Sequence, residues 1–238
     1  MPSTLEGKAM HNVQNGIFAA AIAYSLGKSL EDISQGLRTF TSTFFQAPGR
    51  MNVFDEHPFK VILDFAHNRA AVQSVCDFTS RLETNGRKIA VIAAPGDRRD
   101  EDIRQIAEIA SEHFDHFICR ADDNRRGRGH NELPNMLRET LISKGVSEDC
   151  IEVIADEEPA VDRALALAEE GDLLLILGDD ITRCWKQIIY FESEKGESSP
   201  EEISPVPAEE VGEMDALLEA GRLIRDDRGV RLAKEESD

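Results

Sequence analysis

The sequence predicts an α/β protein with a Rossmann-like, mostly parallel sheet covered by helices on both faces. Short, nearly continuous apolar runs alternate with helical patterns over residues 51–190, which is typical of strands buried on both sides. Polar clusters follow most of these runs, where parallel sheets collect ligands. The chain has 238 residues and 41% hydrophobic content, enough for a sizeable core.

The N-terminal part predicts two helices. Apolar residues recur at helical spacing from residue 11, and Gly27 supplies a stop signal. Ser29 is expected to cap a second helix to about residue 40, with Asp32 in a relative of the capping box. Because two helices seldom fold alone, we interpret residues 1–47 as a helical remnant of another domain.

Residues 48–190 predict the main α/β domain. The expected strands span residues 61–64, 88–94, 116–119, 151–154 and 172–177. The expected helices span residues 70–82, 100–113, 132–144, 157–169 and 181–190. The repeated order of strand and helix indicates parallel pairing.

Residues 191–238 predict an acidic, flexible tail. This segment holds 15 acidic and 6 basic residues. A short helix is expected at 208–223, where apolar residues have helical spacing. The tail is interpreted as solubilising, with an interaction segment as the alternative.

Composition excludes several classes of function. The net charge of -19 argues against nucleic-acid binding. No run reaches about 18 apolar residues, so no membrane span is expected. The N-terminus lacks a basic head followed by an apolar run, and the four cysteines form no C-x-x-C pair. We therefore expect a cytoplasmic protein without a metal site.

Polar residues follow the first main strand. Asp64 could bridge ribose hydroxyls, while His67 and Asn68 offer hydrogen-bond donors to a phosphate. Alternatively, Asp64 could cap the next helix, with His67 and Asn68 filling the turn. The spacing alone leaves both interpretations open.

Charged clusters also follow later strands. They are residues 96–100, with Asp97 and Arg98; residues 122–128, with Asp122, Asp123, Arg126 and Arg128; and residues 178–180. Guanidinium groups bind carboxylate or phosphate bidentately, and carboxylates bind amino or guanidinium groups. The alternative is that these are capped, solvated loops.

The sequence has no phosphate-binding loop. Gly27-Lys28-Ser29 is the nearest match, but Ile22 stands where the pattern G-x-x-x-x-G-K-[ST] requires glycine. This segment is also expected between two helices instead of after a strand. No G-x-G-x-x-G follows a strand, and no Ser-His-Asp or Cys-His arrangement has a recognisable local signature.

Taken in order, several motifs resemble the C-terminal part of the Mur ligase family. They are His11-Asn12 with Asn15, Pro48-Gly49-Arg50, the run from Asp64 to Asn68, the run from Gly96 to Asp102, and the run from Asp122 to Arg128. The last two runs are more similar to the cyanophycin synthetase branch than to peptidoglycan enzymes. Arg69 stands where the family has proline.

The resemblance implies an ATP- and magnesium-dependent ligase that joins an amino acid, arginine in that branch, to a carboxylate. The implied nucleotide-binding residues are Asn12, Asn15, Arg50, Asp64, His67 and Asn68. The implied amino-acid-binding residues are Asp97, Arg98, Asp122, Asp123, Arg126 and Arg128.

The phosphate loop and the magnesium ligands of the family are absent from the sequence, so the chain has no complete catalytic set. We expect it to be inactive alone and to work with a ligase subunit that contains a phosphate loop, or as a homo-oligomer. The alternatives are a stand-alone binding or regulatory module, and a different enzyme that uses the carboxylates at the strand ends.

Overall fold

The computed structural model describes residues 1–192 and, further on, the two strands Leu223–Asp226 and Gly229–Leu232. The chain divides into two compact units, Met1–Ser193 and Glu194–Asp238. The first unit carries the predicted α/β domain together with the N-terminal helices.

A six-stranded sheet organises the first unit. Its strands are β1 (Asn52–Phe54), β2 (Lys60–Asp64), β3 (Lys88–Ile92), β4 (His116–Cys119), β5 (Ile151–Val153) and β6 (Leu173–Leu177). The spatial order is β1-β2-β6-β3-β4-β5, and only the pairing of β1 with β2 is antiparallel. The predicted α/β fold with a mostly parallel sheet is confirmed. The antiparallel edge strand β1 was not predicted.

Seven helices accompany the sheet in the described part of the chain. They are α1 (Met10–Ser25), α2 (Leu30–Thr39), α3 (Arg69–Thr79), α4 (Asp100–Ser111), α5 (Glu132–Ser143), α6 (Glu157–Leu167) and α7 (Ile181–Tyr190). The predicted cap of α2 is confirmed, because the Ser29 side chain accepts a hydrogen bond from the Asp32 backbone N–H at 3.1 Å.

The two faces of the sheet hold separate cores. Helices α3, α4 and α5 pack on one face, against alternate strand residues such as Ile62, Ala90 and Phe117. Helices α6 and α7 pack on the other face, against neighbours such as Val61 and Ile89. Successive strand residues point to opposite faces, so continuous apolar strands fill both cores.

The helix pair α1 and α2 exposes apolar side chains. On α1, Ile17, Phe18 and Ile22 are 60 to 67% exposed, and α2 buries no residue. The Gly27-Lys28-Ser29 segment lies between these helices, so it does not follow a strand.

The segment that joins α2 to the sheet is held by buried hydrogen bonds. The Asn52 side chain accepts from the Gly49 N–H at 2.7 Å and donates to the carbonyls of Ser42 and Ala47. Gly49 has a φ of +66°, and a Cβ there would lie 2.8 Å from Ile181 Cγ1. These contacts fix the linker against the sheet and α7.

The second unit contains an antiparallel pair, β7 (Leu223–Asp226) and β8 (Gly229–Leu232). The predicted helix at 208–223 lies outside the described residues apart from Leu223, which begins β7. The predicted flexibility of the tail stays a prediction. Within the described ranges, no helix is long and apolar enough to cross a membrane.

Candidate functional site

A cavity of about 240 Å³ lies at the carboxyl ends of four adjacent strands, β2, β6, β3 and β4. The loops that follow these strands form its walls. The lining residues are Phe65, Ala66, His67, Ala93, Pro95, Asp97, Arg98, Arg120, Asp122, Arg126, Leu177, Gly178 and Asp179. Parallel α/β sheets bind ligands at this edge.

Five of the predicted binding residues meet in this cavity: His67, Asp97, Arg98, Asp122 and Arg126. They come from three loops that are distant in sequence. Gly96 permits the contact between two of them, because a Cβ there would lie 2.2 Å from the Arg125 carbonyl oxygen.

The guanidinium groups in the cavity have different environments. Arg126 pairs with Asp97, so its charge is offset within the protein. Arg98 forms no ion pair within 4.0 Å with another residue of the described chain, although its backbone carbonyl accepts from Arg128. Arg98 is therefore the guanidinium that remains available to an anionic group of a ligand.

Asp122 is the carboxylate set furthest into the cavity wall. The pKa of Asp122 is raised to about 6, mainly by burial; Arg120 opposes the shift, and nearby Asp179 and Glu157 add to it. Arg120 Nη1 lies 3.7 Å from Asp122 Oδ1, beyond hydrogen-bond distance. A cationic ligand group would favour the ionised form of this carboxyl.

Two predicted amino-acid-binding residues, Asp123 and Arg128, do not line the cavity and instead form ion pairs with neighbouring side chains. Asp123 pairs with Arg183 of α7 at 2.7 Å. Arg128 pairs with Asp100 at 2.8 Å and with Glu132 at 2.7 Å. These contacts hold the loops after β3 and β4 against helices α4, α5 and α7.

Asp64 and Asn68 also make contacts within the protein. The Asp64 carboxylate accepts a hydrogen bond from the Met51 N–H at 2.8 Å, and burial raises the pKa of Asp64 to about 6. Asn68 caps α3 through the Ala71 N–H. The interpretation of the turn as structural therefore fits Asn68, whereas Asp64 holds the linker and does not cap the helix.

His67 presents one ring nitrogen to the cavity side of the loop. Its Nδ1 lies 2.9 Å from the Phe65 carbonyl oxygen, which can only accept, so Nδ1 carries the hydrogen. The remaining Nε2 is available to a ligand.

The other predicted nucleotide-binding residues lie in a second concavity. Asn12, Asn15 and Arg50 line a groove of about 850 Å³ between α1 and α2. Arg50 also lies over the ring of Phe65 at 5.8 Å, and Phe65 lines the first cavity. The predicted nucleotide set is thus divided between the groove and the sheet edge, with Arg50 next to both.

Three residues of the site were missed in the sequence. Arg120 and Asp179 line the cavity, and Glu157 joins them at its base. Asp179 belongs to a cluster noted at a strand end, so its position was a usable signal. Arg120 directly follows β4, but its burial depends on a tertiary pairing with Glu157 that no local pattern reveals.

The domain that carries this cavity matches a known family. The family profile described as "Mur ligase, glutamate ligase domain" matches residues 49–179, more than half of the chain. The chain belongs to the Mur ligase family. The matched range covers all six strands of the first sheet and the cavity at their ends.

Individual relatives agree with this assignment. Cyanophycin synthetase of Trichormus variabilis is 37% identical over 79% of this chain and 21% of that protein. The Aquifex aeolicus UDP-N-acetylmuramoyl-L-alanyl-D-glutamate–2,6-diaminopimelate ligase is 35% identical over 67% of this chain and 31% of that protein. The structure of E. coli FolC in complex with DHPP and ADP is 25% identical, with a TM-score of 0.51, over 68% of this chain and 34% of that one.

The coverage of these relatives is partial. The chain spans about a fifth of the length of the cyanophycin synthetases that it matches. Similarity to the cyanophycin synthetases, at 34 to 37% identity, confirms the branch of the family suggested by the charged runs.

Proposed function

We propose that this chain is the C-terminal part of an ATP-dependent amide-bond ligase of the cyanophycin synthetase type, and that its cavity binds the incoming amino acid. The cavity at the strand ends is the observation that carries the proposal. It combines the available guanidinium of Arg98 with the carboxyl of Asp122 and that of Asp179. An amino acid offers the complementary charges, a carboxylate and one or two cationic groups.

Arginine is the amino acid that suits this arrangement best. Arg98 would bind the α-carboxylate bidentately, while Asp122 and Asp179 would accept hydrogen bonds from the ammonium or guanidinium group. The resemblance to cyanophycin synthetase supports the same choice. In the reaction, the amine of the bound amino acid would displace phosphate from a phosphorylated carboxylate and form the amide.

ATP would act as the substrate that supplies the phosphoryl group, and this chain would hold only part of it. Arg50 and the Nε2 of His67 would contact phosphate under this proposal, since Arg50 and Asn15 line the groove and His67 lines the adjoining cavity. Asp64 and Asn68 are engaged within the protein and would act by shaping the turn. The similar E. coli FolC structure is in complex with ADP, which supports a nucleotide as the substrate.

Magnesium does not fit the residues that the structure describes. Within the described ranges, no group of three His, Cys, Asp or Glu side chains is arranged to hold a metal ion. The sequence also lacks a phosphate loop. Under this proposal both belong to the other part of the ligase.

The exposed apolar face of α1 and α2 is the surface where that other part would dock. Ile17, Phe18, Ile22 and Leu30 each leave at least 60% of their surface exposed. The chain covers about a fifth of the length of its cyanophycin synthetase relatives, so most of each of those ligases lies outside the region that it matches. We assign this face to a ligase subunit that carries the phosphate loop.

Calorimetric titration with L-arginine tests the proposed binding. We expect saturable binding to the wild-type chain, at least tenfold weaker in Arg98→Gln and in Asp122→Asn because each removes one charge that meets the ligand. Arg163→Gln, which removes an exposed arginine paired with Glu152 outside the cavity, is the control and should bind normally.

The pH dependence gives a second check of the same site. The pKa of Asp122 is about 6, so its carboxylate forms as the pH rises through 6, and affinity should increase between pH 5 and pH 7. Asp122→Asn should abolish this increase. Equal affinity in all variants, with no dependence on pH, would contradict the proposed function.

A further inference from the structure

Glu157 is a buried carboxylate at the base of the cavity that no binding role explains. It lies in the first turn of α6, and its side chain is fully buried. Its Oε1 accepts from the Asp179 N–H at 2.6 Å, and its Oε2 accepts from the Asp180 N–H at 3.1 Å. Arg183 of α7 also pairs with it. Glu157 therefore holds the loop after β6, which carries Asp179 into the cavity wall.

The same carboxylate engages Arg120, which is itself 1% exposed. Arg120 Nη2 lies 2.8 Å from Glu157 Oε1 and 2.6 Å from the Leu177 carbonyl oxygen, and Nη1 donates to the Ala121 carbonyl at 2.9 Å. Asp122 lies further away, at 3.7 Å. The close ion pair of Arg120 is thus the one with Glu157, and its ion pair with Asp122 is longer and beyond hydrogen-bond distance.

We propose that Glu157 is a positioning residue that withholds Arg120 from Asp122, so that the Asp122 carboxylate stays available to the cationic group of the ligand. This inference rests on the proposed function, because it concerns the ligand of the same cavity. Glu157 does not touch that ligand. It acts through Arg120, and its hydrogen bonds to the loop that carries Asp179 are a separate structural contact.

The consequence of removing the Glu157 charge follows from the geometry. A buried guanidinium without a carboxylate partner is costly, so we expect Arg120 to approach the nearest remaining carboxylate in a variant without the Glu157 charge. For Arg120 the next carboxylate is Asp122, and a shift that closes the 3.7 Å separation would turn their present long ion pair into a direct, hydrogen-bonded one. The other charged groups that act on Asp122 are Asp179, Glu157 and His67, none of which could replace Arg120 as a close cationic partner.

Three variants separate this role from a merely structural one. Glu157→Gln removes the charge and keeps the shape. The double variant Arg120→Gln with Glu157→Gln removes both charges of the buried pair, which proteins tolerate better than the loss of one. Glu152→Gln is the matched control, since Glu152 pairs with Arg163 and His116 outside the cavity.

Two readouts are measured on each folded variant: L-arginine affinity by calorimetry, and the pKa of Asp122 by carbon-detected NMR of its side-chain carboxyl. In Glu157→Gln, we expect affinity to fall at least tenfold and the pKa of Asp122 to fall. In the double variant, we expect affinity to recover to within about threefold of wild type, because Arg120 can no longer occupy Asp122. Glu152→Gln should match wild type.

Other outcomes would overturn the inference. An unchanged pKa of Asp122 in Glu157→Gln, or a double variant that binds no better than the single one, would show that Glu157 only supports the fold. If Glu157→Gln does not fold, Glu157→Asp is measured instead, because its carboxylate is one methylene further from Arg120. This variant should show a smaller fall in arginine affinity and in the pKa of Asp122. Unchanged values of both would again contradict the role. If the wild-type chain does not bind arginine, the proposed function fails, whereas the Asp122 titration, which needs no ligand, still tests the inference.

Discussion

At the residue scale, the buried carboxyl of Asp64 at the end of β2 and the largely buried carboxyl of Asp122 after β4 have different roles. Burial raises the pKa of both Asp64 and Asp122 to about 6. Asp64 is occupied by the Met51 N–H and holds the linker, whereas Asp122 has no hydrogen-bond partner among the described residues and lines the cavity. Similar residues at similar positions thus serve the fold in one case and the proposed site in the other.

Asp64→Asn tests the electrostatic cost of the linker contact. The folded pKa of about 6 lies above the ordinary value of 3.8, so the protonated form contributes stability below pH 4 that is lost as the pH rises through 6. Between pH 4 and pH 7.5, the free energy of unfolding of the variant should therefore gain about 2 kcal/mol relative to wild type. Urea unfolding followed by circular dichroism at both pH values measures this.

The exposed carboxylate of Asp55 offers the control for this experiment. Asp55→Asn changes the same charge near the same edge strand, without the burial of Asp64. Its difference from wild type should stay constant over the pH range. A constant difference for Asp64→Asn as well would contradict the assigned cause of the pKa shift.

At the element scale, the cavity depends on the close contact of the loops after β3 and β4. In Gly96→Ala the new Cβ would meet the Arg125 carbonyl oxygen at 2.2 Å, so one loop must move. We expect the free energy of unfolding to fall by about 1–3 kcal/mol and arginine binding to weaken at least tenfold. Chemical denaturation and calorimetry measure the two effects.

Gly129→Ala is the matched control at this scale. A Cβ at Gly129 would meet only Glu132 side-chain atoms, at 3.6 Å or more, which is ordinary contact distance. This variant should keep wild-type stability and binding. Equal effects of the two substitutions would show that the loop contact at Gly96 does not shape the cavity.

The periodicity of the sequence predicted most elements because it reflects burial directly. The continuous apolar run of β6 contributes to both cores, and helices α3 to α7 each show an apolar stripe toward one face of the sheet. The strand β1 was not predicted because three residues at an antiparallel edge give too short a pattern. The resemblance to a known family supplied the site residues that spacing alone left open.

The roles within the charged clusters could not be predicted in the same way. Arg126 and Arg128 belong to one run, yet Arg126 lines the cavity whereas Arg128 forms ion pairs with α4 and α5. The position of each arginine side chain depends on ion-pair partners that are distant in sequence, Asp97 for Arg126 and Asp100 for Arg128. The contacts of Glu157 with Arg120 and Arg183 are likewise tertiary.

At the scale of the whole molecule, the chain has a cavity at the strand ends, and its sequence lacks the phosphate loop of the proposed reaction. We expect the purified chain to show no ATP hydrolysis with L-arginine and an aspartate-rich acceptor, because its sequence has no phosphate loop to position the γ-phosphate. Phosphate release is the measurement. Addition of a ligase subunit that carries a phosphate loop should produce turnover.

The exposed face of α1 provides the control for that reconstitution. Phe18→Ser removes a large apolar side chain that is 67% exposed and lies outside both concavities. It should weaken the response to the added subunit and leave arginine binding unchanged. ATP turnover by the chain alone would contradict this division of labour, and binding without any response to such a subunit would favour a stand-alone binding module.

The most direct test of the account locates arginine on the protein. Backbone amide NMR of the chain is recorded during titration with L-arginine. We predict saturable shifts at the loops after β2, β3, β4 and β6, centred on Arg98, Asp122 and Asp179. Shifts confined to the groove between α1 and α2, or no saturable shifts at all, would contradict the claim that this edge of the sheet is the amino-acid site.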